Sequence, residues 1–258
     1  MHDVGCKMKI RVIARLDVKP PYVVKPVHFE GLRKMGKPEE MALKYYTQGA
    51  DEIIYIDIVS SLYRRPILSK IILATAKNLF IPFAAGGGVK TIEDFSLLLH
   101  NGVDKVVINT YALQEDPKII ERAAKVFGSQ AVVVQVEAKK WQDWWECYSD
   151  CGRIRSSKDV FEWVKTAEDL GAGEIILSSV DRDGRKAGFD IELIKEVVSE
   201  LTIPVIAASG AGSLNDIKKM IQTAKPDAVA IGSLLHYNIT TINEIKEYLH
   251  NNGIKVAI

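Results

Sequence analysis

Short apolar runs, many rich in β-branched residues, recur along the chain and alternate with longer stretches of amphipathic periodicity. The runs fall at Ile10–Leu16, Ile53–Ile58, Ile81–Ala85, Lys105–Asn109, Ala131–Glu137, Glu174–Ser179, Ile203–Ala208 and Asp227–Ile231. Most are nearly continuous in their hydrophobicity, which is how a strand buried on both faces reads. Between them Thr91–Asn101, Pro117–Phe127 and Leu214–Thr223 have helical periodicity. Asp190 predicts an N-cap for Ile191–Glu200, and Gly49, Gly102 and Gly171 predict C-terminal stops. Eight strands alternating with helices over 258 residues predict a single (β/α)8 TIM barrel, with a doubly wound open sheet as the alternative.

The chain also resembles itself at an offset of 120 to 123 residues. Gly49-Ala50-Asp51-Glu52-Ile53-Ile54 recurs as Gly171-Ala172-Gly173-Glu174-Ile175-Ile176, and Ile81-Pro82 followed by a glycine cluster recurs from Ile203-Pro204. Asp17 pairs with Glu137, and Ile108-Asn109-Thr110 with Ile231-Gly232-Ser233. The matches keep their order, so the barrel is expected to be built from two half-barrels, about 9–128 and 129–258.

In such a barrel the chemistry sits at the C-terminal ends of the strands. Those positions are Asp17, Asp57, Gly86-Gly87-Gly88, Asn109-Thr110, Glu137, Ser178-Ser179, Asp181, Asp183-Gly184, Ser209-Gly210 and Gly232-Ser233. Two features stand out. Gly88 with Asn109 and Thr110, and Gly210 with Gly232 and Ser233, form duplicated glycine-rich turns, which let backbone N–H groups approach an anion. They imply a long substrate with a phosphate at each end. Asp17 and Glu137 are carboxylates at equivalent strand ends, suited to acid–base chemistry from two directions. Burial in the mouth is expected to raise their pKa, unless Lys19 or Lys139, each two residues along, pairs with them. At the opposite rim Arg11, Glu52, Lys105 and Glu174 start four of the strands, either as an ordinary solvated rim or as a gate over a passage.

Composition narrows the class. The 34 basic and 33 acidic side chains leave a net charge of +1, which argues against nucleic acid as a partner. No apolar run is long enough to span a bilayer, and the first residues lack the apolar core of a signal peptide. A cytoplasmic protein without cofactor or metal is expected. Cys6, Cys147 and Cys151 are too few for a disulfide scaffold, and the last two make at most half a zinc site. Trp141, Trp144 and Trp145 are expected to cover a loop or hairpin after the fifth strand. His28 alone among the histidines is placed where substrate can reach it; His2, His100, His236 and His250 read as surface or packing residues.

Leu16-Asp17-Val18-Lys19, Val23-Val24-Lys25, Ala84–Gly88, Ile108-Asn109-Thr110, Phe127–Val134, Gly171–Ile176 and Asp181-Arg182-Asp183-Gly184 together resemble the cyclase subunit of imidazole glycerol phosphate synthase, from about Lys9 to the C-terminus. The resemblance implies a two-half barrel in which ammonia from a partner glutaminase, docked on the N-terminal face, passes through the barrel. There it cleaves a bisphosphorylated substrate (PRFAR) and closes an imidazole ring, giving imidazole glycerol phosphate and AICAR. It makes Asp17 and Glu137 catalytic, and Lys25 a residue of a flexible first loop that closes over the substrate. Gly88, Asn109 and Thr110 become one phosphate site, and Asp183, Gly184, Gly210, Gly232 and Ser233 the other. Arg11, Glu52, Lys105 and Glu174 become the ammonia gate.

The chain departs from that family at the mouth. Glu137 stands for an aspartate, Arg15 for a cysteine, Pro20-Pro21 and Pro26 for glycine-containing positions, Arg185 for a threonine, and Ala208-Ser209 for Ser-Gly. These departures, beside an unaltered gate, point to a paralogue whose ammonia serves amidino-sugar formation for surface polysaccharide. Ordinary histidine biosynthesis is the alternative. A barrel that only docks and activates a glutaminase is a third.

Overall fold

The computed structural model describes residues 9–27, 30–60 and 69–258. His2, Cys6 and His28 lie outside the described residues. In chain order the strands are β1 (Arg11–Lys19), β2 (Tyr22–Val27), β3 (Glu30–Gly36), β4 (Glu52–Asp57), β5 (Phe83–Gly86) and β6 (Lys105–Ile108). They continue as β7 (Val132–Trp141), β8 (Trp144–Ser149), β9 (Ile154–Asp159), β10 (Glu174–Ser179), β11 (Val205–Ala208) and β12 (Ala228–Ile231).

Strands β1, β4, β5, β6, β7, β10, β11 and β12 pair in parallel, each with the next, and β12 returns to β1. The sheet is therefore closed, and the open-sheet alternative falls. Every strand must then bury both faces. The outward residues of β1, Val12, Ala14 and Leu16, join the large core beneath the helices, while Ile13 joins Ile54, Ala84, Val107, Val133, Ile176, Ile206 and Ala228 in a second core that fills the lumen. That alternation explains why the strands read as continuous apolar runs.

The helices stop and start where the sequence predicts. Thr91 caps Ile92–His100 by accepting from the Asp94 N–H, and Ser213 caps Leu214–Ala224 through Asp216. Asp190 accepts from Leu193 N, and Gly49, Gly102 and Gly171 take positive φ at the helix ends.

Two strands run past their expected ends. β1 continues to Lys19, turns at Pro20-Pro21 and pairs antiparallel with β2, which pairs with β3. β7 continues to Trp141, turns, and pairs antiparallel with β8 and then β9. Each excursion follows the first strand of a run of four barrel strands, and each rises over the C-terminal mouth. The tryptophans belong to the second hairpin: Trp145 is buried, and Trp141 and Trp144 are partly exposed. Lys25, expected in a flexible loop, is instead a buried residue of β2.

Candidate active site

Residues two apart on a strand share a face, so Arg11, Ile13, Arg15 and Asp17 all point into the lumen. So do Val133, Gln135 and Glu137 on β7, and Glu174, Ile176 and Ser178 on β10. At the C-terminal end these rows meet in a polar layer. Arg15 Nε donates to Asp17 Oδ1 at 3.0 Å, and Lys25 Nζ lies 3.4 Å from Asp17 Oδ2 and 3.2 Å from Asp183 Oδ1. Arg15 also donates to Ser178 Oγ at 2.8 Å, and Ser209 Oγ donates to Asp183 Oδ1 at 3.4 Å. Gly184, Gly210, Gly232 and Ser233 border this cluster.

Across the mouth, Glu137 Oε2 accepts from Gly152 N at 2.8 Å and Oε1 from Gln135 Nε2 at 2.9 Å. Gly88, Asn109 and Thr110 line the same cavity of about 190 Å³, together with Asp150 and Cys151. Asn109 Oδ1 is buried and accepts no hydrogen bond from the described residues. The mouth thus has two recesses, each with one carboxylate and one glycine-rich border.

The two carboxylates are shifted in opposite directions. Burial pushes Asp17 up, but Arg15 and Lys25 together outweigh it and hold the carboxyl below its ordinary value. Glu137 is pushed up to about 7 by burial, which the Gly152 N–H, Arg15 and Gln135 only partly oppose. The expected rise therefore holds at Glu137 and fails at Asp17, whose neighbourhood is cationic. Neither carboxylate takes the lysine two residues along: Lys139 lies over the rings of Trp141 and Tyr148. His236 is buried, its ring stacked on Tyr45 and its Nδ1 2.8 Å from the Tyr45 hydroxyl. Burial first, and then Lys25, lowers its pKa to about 4, so it stands neutral beside the Asp17 cluster.

At the N-terminal end the four charged residues form a closed ring. Arg11 bonds Glu52 at 2.7 Å and also Glu174; Lys105 lies 3.0 Å from Glu52 and 2.8 Å from Glu174. Each anion touches both cations, which compensates charge that is costly beside a low-dielectric core. The next inward residues are apolar: Ile13, Ile54, Val107 and Ile176. A concave region of about 980 Å³, lined largely by apolar surface, opens around Arg11, Lys105 and Glu174 on this face.

The profile described as "Histidine biosynthesis protein" matches residues 11–241. The chain belongs to this family. An imidazole glycerol phosphate synthase subunit HisF of Legionella pneumophila is 50% identical over 208 residues, 80% of this chain and 98% of that protein. HisF of Dehalococcoides mccartyi is 42% identical over 248 residues, 96% of this chain and 98% of its own length. HisF of Lactococcus lactis is 42% identical over 250 residues, 96% of each chain. The protein is thus a HisF-like member of the histidine biosynthesis family.

Within that family frame, every site residue named from the sequence lies at the mouth or in the basal ring. Asp57 lines the Glu137 cavity and accepts from Val59 N and Ser60 N, and Asp181 accepts from Lys140 N. Ser178, named from its strand end, takes the Arg15 guanidinium, whereas sequence reasoning passed over Gln135 and Gly152. Strand alternation marks Gln135, two residues from Glu137, but nothing local announces Gly152, which the β8–β9 turn brings in. Cys147 is buried within β8, and Cys151 reaches the mouth with Sγ 3.2 Å from Ile58 O. Among the described residues no group of three His, Cys, Asp or Glu is placed to hold a metal ion. Nor is any described helix long and apolar enough to cross a membrane.

Proposed function

We propose that this chain is the ammonia-using cyclase subunit of a glutamine amidotransferase complex of the imidazole glycerol phosphate synthase kind. A glutaminase docks on the concave N-terminal face. Nitrogen enters through the ring of Arg11, Glu52, Lys105 and Glu174, crosses the apolar lumen as neutral ammonia, and meets a phosphorylated acceptor at the mouth. The acceptor's phosphates lie in the two glycine-bordered recesses: Gly88, Asn109 and Thr110 on one side; Gly184, Gly210, Gly232 and Ser233 on the other, with Lys25 and Asp183 at its edge.

The observation that carries this reading is the pair of buried mouth carboxylates, one against Arg15 and Lys25 and the other away from any direct cation, reached from the charged ring through an apolar core. Ammonia adding to a carbonyl and closing a ring needs one group to take a proton and another to return one to a leaving oxygen. Ionised Asp17 suits the first task. Glu137, with a pKa near the working pH, suits the second.

The test is incubation of the protein with PRFAR and a high ammonium concentration, following consumption of PRFAR. Turnover at an enzymatic rate is expected, and its absence overturns PRFAR as the acceptor. Arg15 favours a second reading, in which the acceptor is a sugar derivative destined for surface polysaccharide: a guanidinium fixed on Asp17 reshapes the mouth where the resembled family has cysteine. Failure with PRFAR, together with stimulation of a glutaminase on mixing, selects that reading.

A further inference from the structure

Two arginines cross the lumen between the same two strands. Arg11 on β1 bonds Glu174 on β10, and four residues further along each strand Arg15 donates to Ser178 at 2.8 Å. Both pairs span 163 positions. Strands β1 and β10 are not neighbours; β11 and β12 lie between them on one side, so each pair bridges open lumen. The lower bar belongs to the basal ring. The upper one lies on the mouth side of Ile13 and Ile176, where anything that has crossed the apolar layer must pass it.

The two ends of the Arg15 guanidinium are held unequally. Nε faces the ionised Asp17 carboxylate at 3.0 Å, whereas Nη1 faces a neutral hydroxyl. Both bonds have a charged donor, but only the one to Asp17 also joins two opposite full charges, which adds Coulomb attraction. The Asp17 end is therefore the anchor and the Ser178 end the releasable one. Arg15 and Ser178 are both buried, and Arg15 stands at the inner end of the recess lined by Asp17, Lys25 and Asp183, between the apolar layer and the mouth.

We propose that Arg15 is an inner gate of the lumen. The guanidinium closes the passage above the apolar layer, and an anionic or carbonyl group of the arriving acceptor replaces Ser178 as the partner of Nη1. The bar then lifts about its Asp17 anchor only when an acceptor is in place. Ammonia is thereby held below the mouth until there is something for it to attack. This rests on the reading of the chain as an ammonia-using barrel, and it gives Arg15 a positioning role.

The gate is tested by thiol access to the apolar layer. Val133 is replaced by cysteine in a chain whose native cysteines are serine or alanine, and modification by methyl methanethiosulfonate is timed. Arg15→Met, which keeps the length but cannot bridge to Ser178, is expected to accelerate labelling by roughly tenfold, as for loss of a local closure. Ser178→Ala is expected to act in the same direction, and Arg15→Lys to retain part of the protection. Equal rates with and without Arg15 overturn the proposal. So does a parallel acceleration at Val134→Cys, an outward core position that only general loosening exposes. Labelling needs no acceptor, so its outcome is independent of the PRFAR assay: accelerated labelling without turnover keeps the gate and removes PRFAR as the acceptor, and turnover with unchanged labelling keeps PRFAR and removes the gate.

Discussion

Arg15 and Asp17 stand two residues apart on β1, and their side chains meet inside the barrel, Nε to Oδ1, at 3.0 Å. With Lys25 on the other carboxylate oxygen, Asp17 compensates two buried cations. Asp17→Asn leaves both without that charge, which costs about 3–5 kcal/mol when a buried pair loses one partner. The carboxyl titrates below its ordinary value, so its contribution is complete above that value and is lost as pH falls through the folded pKa. Urea unfolding at pH 7 is expected to show the loss, and ammonia-dependent turnover to drop by roughly 10²–10⁴-fold. Undiminished turnover removes Asp17 from the chemistry.

Glu137 behaves in the opposite sense. Its folded pKa of about 7 lies above the ordinary 4.5, so the folded chain holds a proton that the unfolded chain releases. Stability falls as pH rises from about 4.5 to 7 and is flat beyond, by about 3 kcal/mol in all at ~1.4 kcal/mol per pKa unit. Glu137→Gln removes that dependence. Gln135 Oε1 is buried without a partner among the described residues, so a flipped Gln135 amide receives the new amide N–H. The variant is expected to be inactive but more stable than the wild type at pH 8, with the difference fading towards pH 4.5. Denaturant midpoints across that range measure it.

Lys105 touches both anions of the basal ring. Lys105→Ala leaves Glu52 and Glu174 to Arg11 alone. Glutamine-dependent turnover in the complex is expected to fall by roughly tenfold, about 1.4 kcal/mol in barrier. Turnover from added ammonium should change much less. Equal losses in the two assays argue against a gating role.

Gly210 has φ of +105°, and a Cβ there falls 2.4 Å from the carbonyl oxygen of Gly188. Gly210→Ala is expected to cost roughly 1–3 kcal/mol, the range for a strained backbone position. It should also raise the KM for the phosphorylated acceptor more than it lowers kcat. A KM unchanged beside a lowered melting temperature leaves Gly210 with a structural part only.

Most of the barrel is legible because burial on two faces writes itself into the strands as unbroken apolar runs. The charged ring and the mouth carboxylates are legible because they interrupt those runs at fixed ends. The excursions β2–β3 and β8–β9 are not. The tryptophans hint only at the second, and neither follows the period of the barrel. With them went the position of Lys25 and the approach of Gly152 to Glu137. The lowered pKa of Asp17 was half legible: Arg15, two residues back on the same strand face, can be read from the alternation, whereas Lys25 arrives only through the hairpin.

The apolar layer lies between two charged assemblies that share strands but make no contact. On β1, Arg11 and Arg15 are separated by four residues, roughly 13 Å at strand rise, with Ile13 between them. Substitutions in the ring and in the mouth at such a distance combine nearly additively. The mouth, Arg15 and Glu137 included, can therefore be changed without renegotiating the ring. A mouth from one relative and a base from another should make a working chimera, joined through the layer of isoleucines, valines and alanines that belongs to neither end.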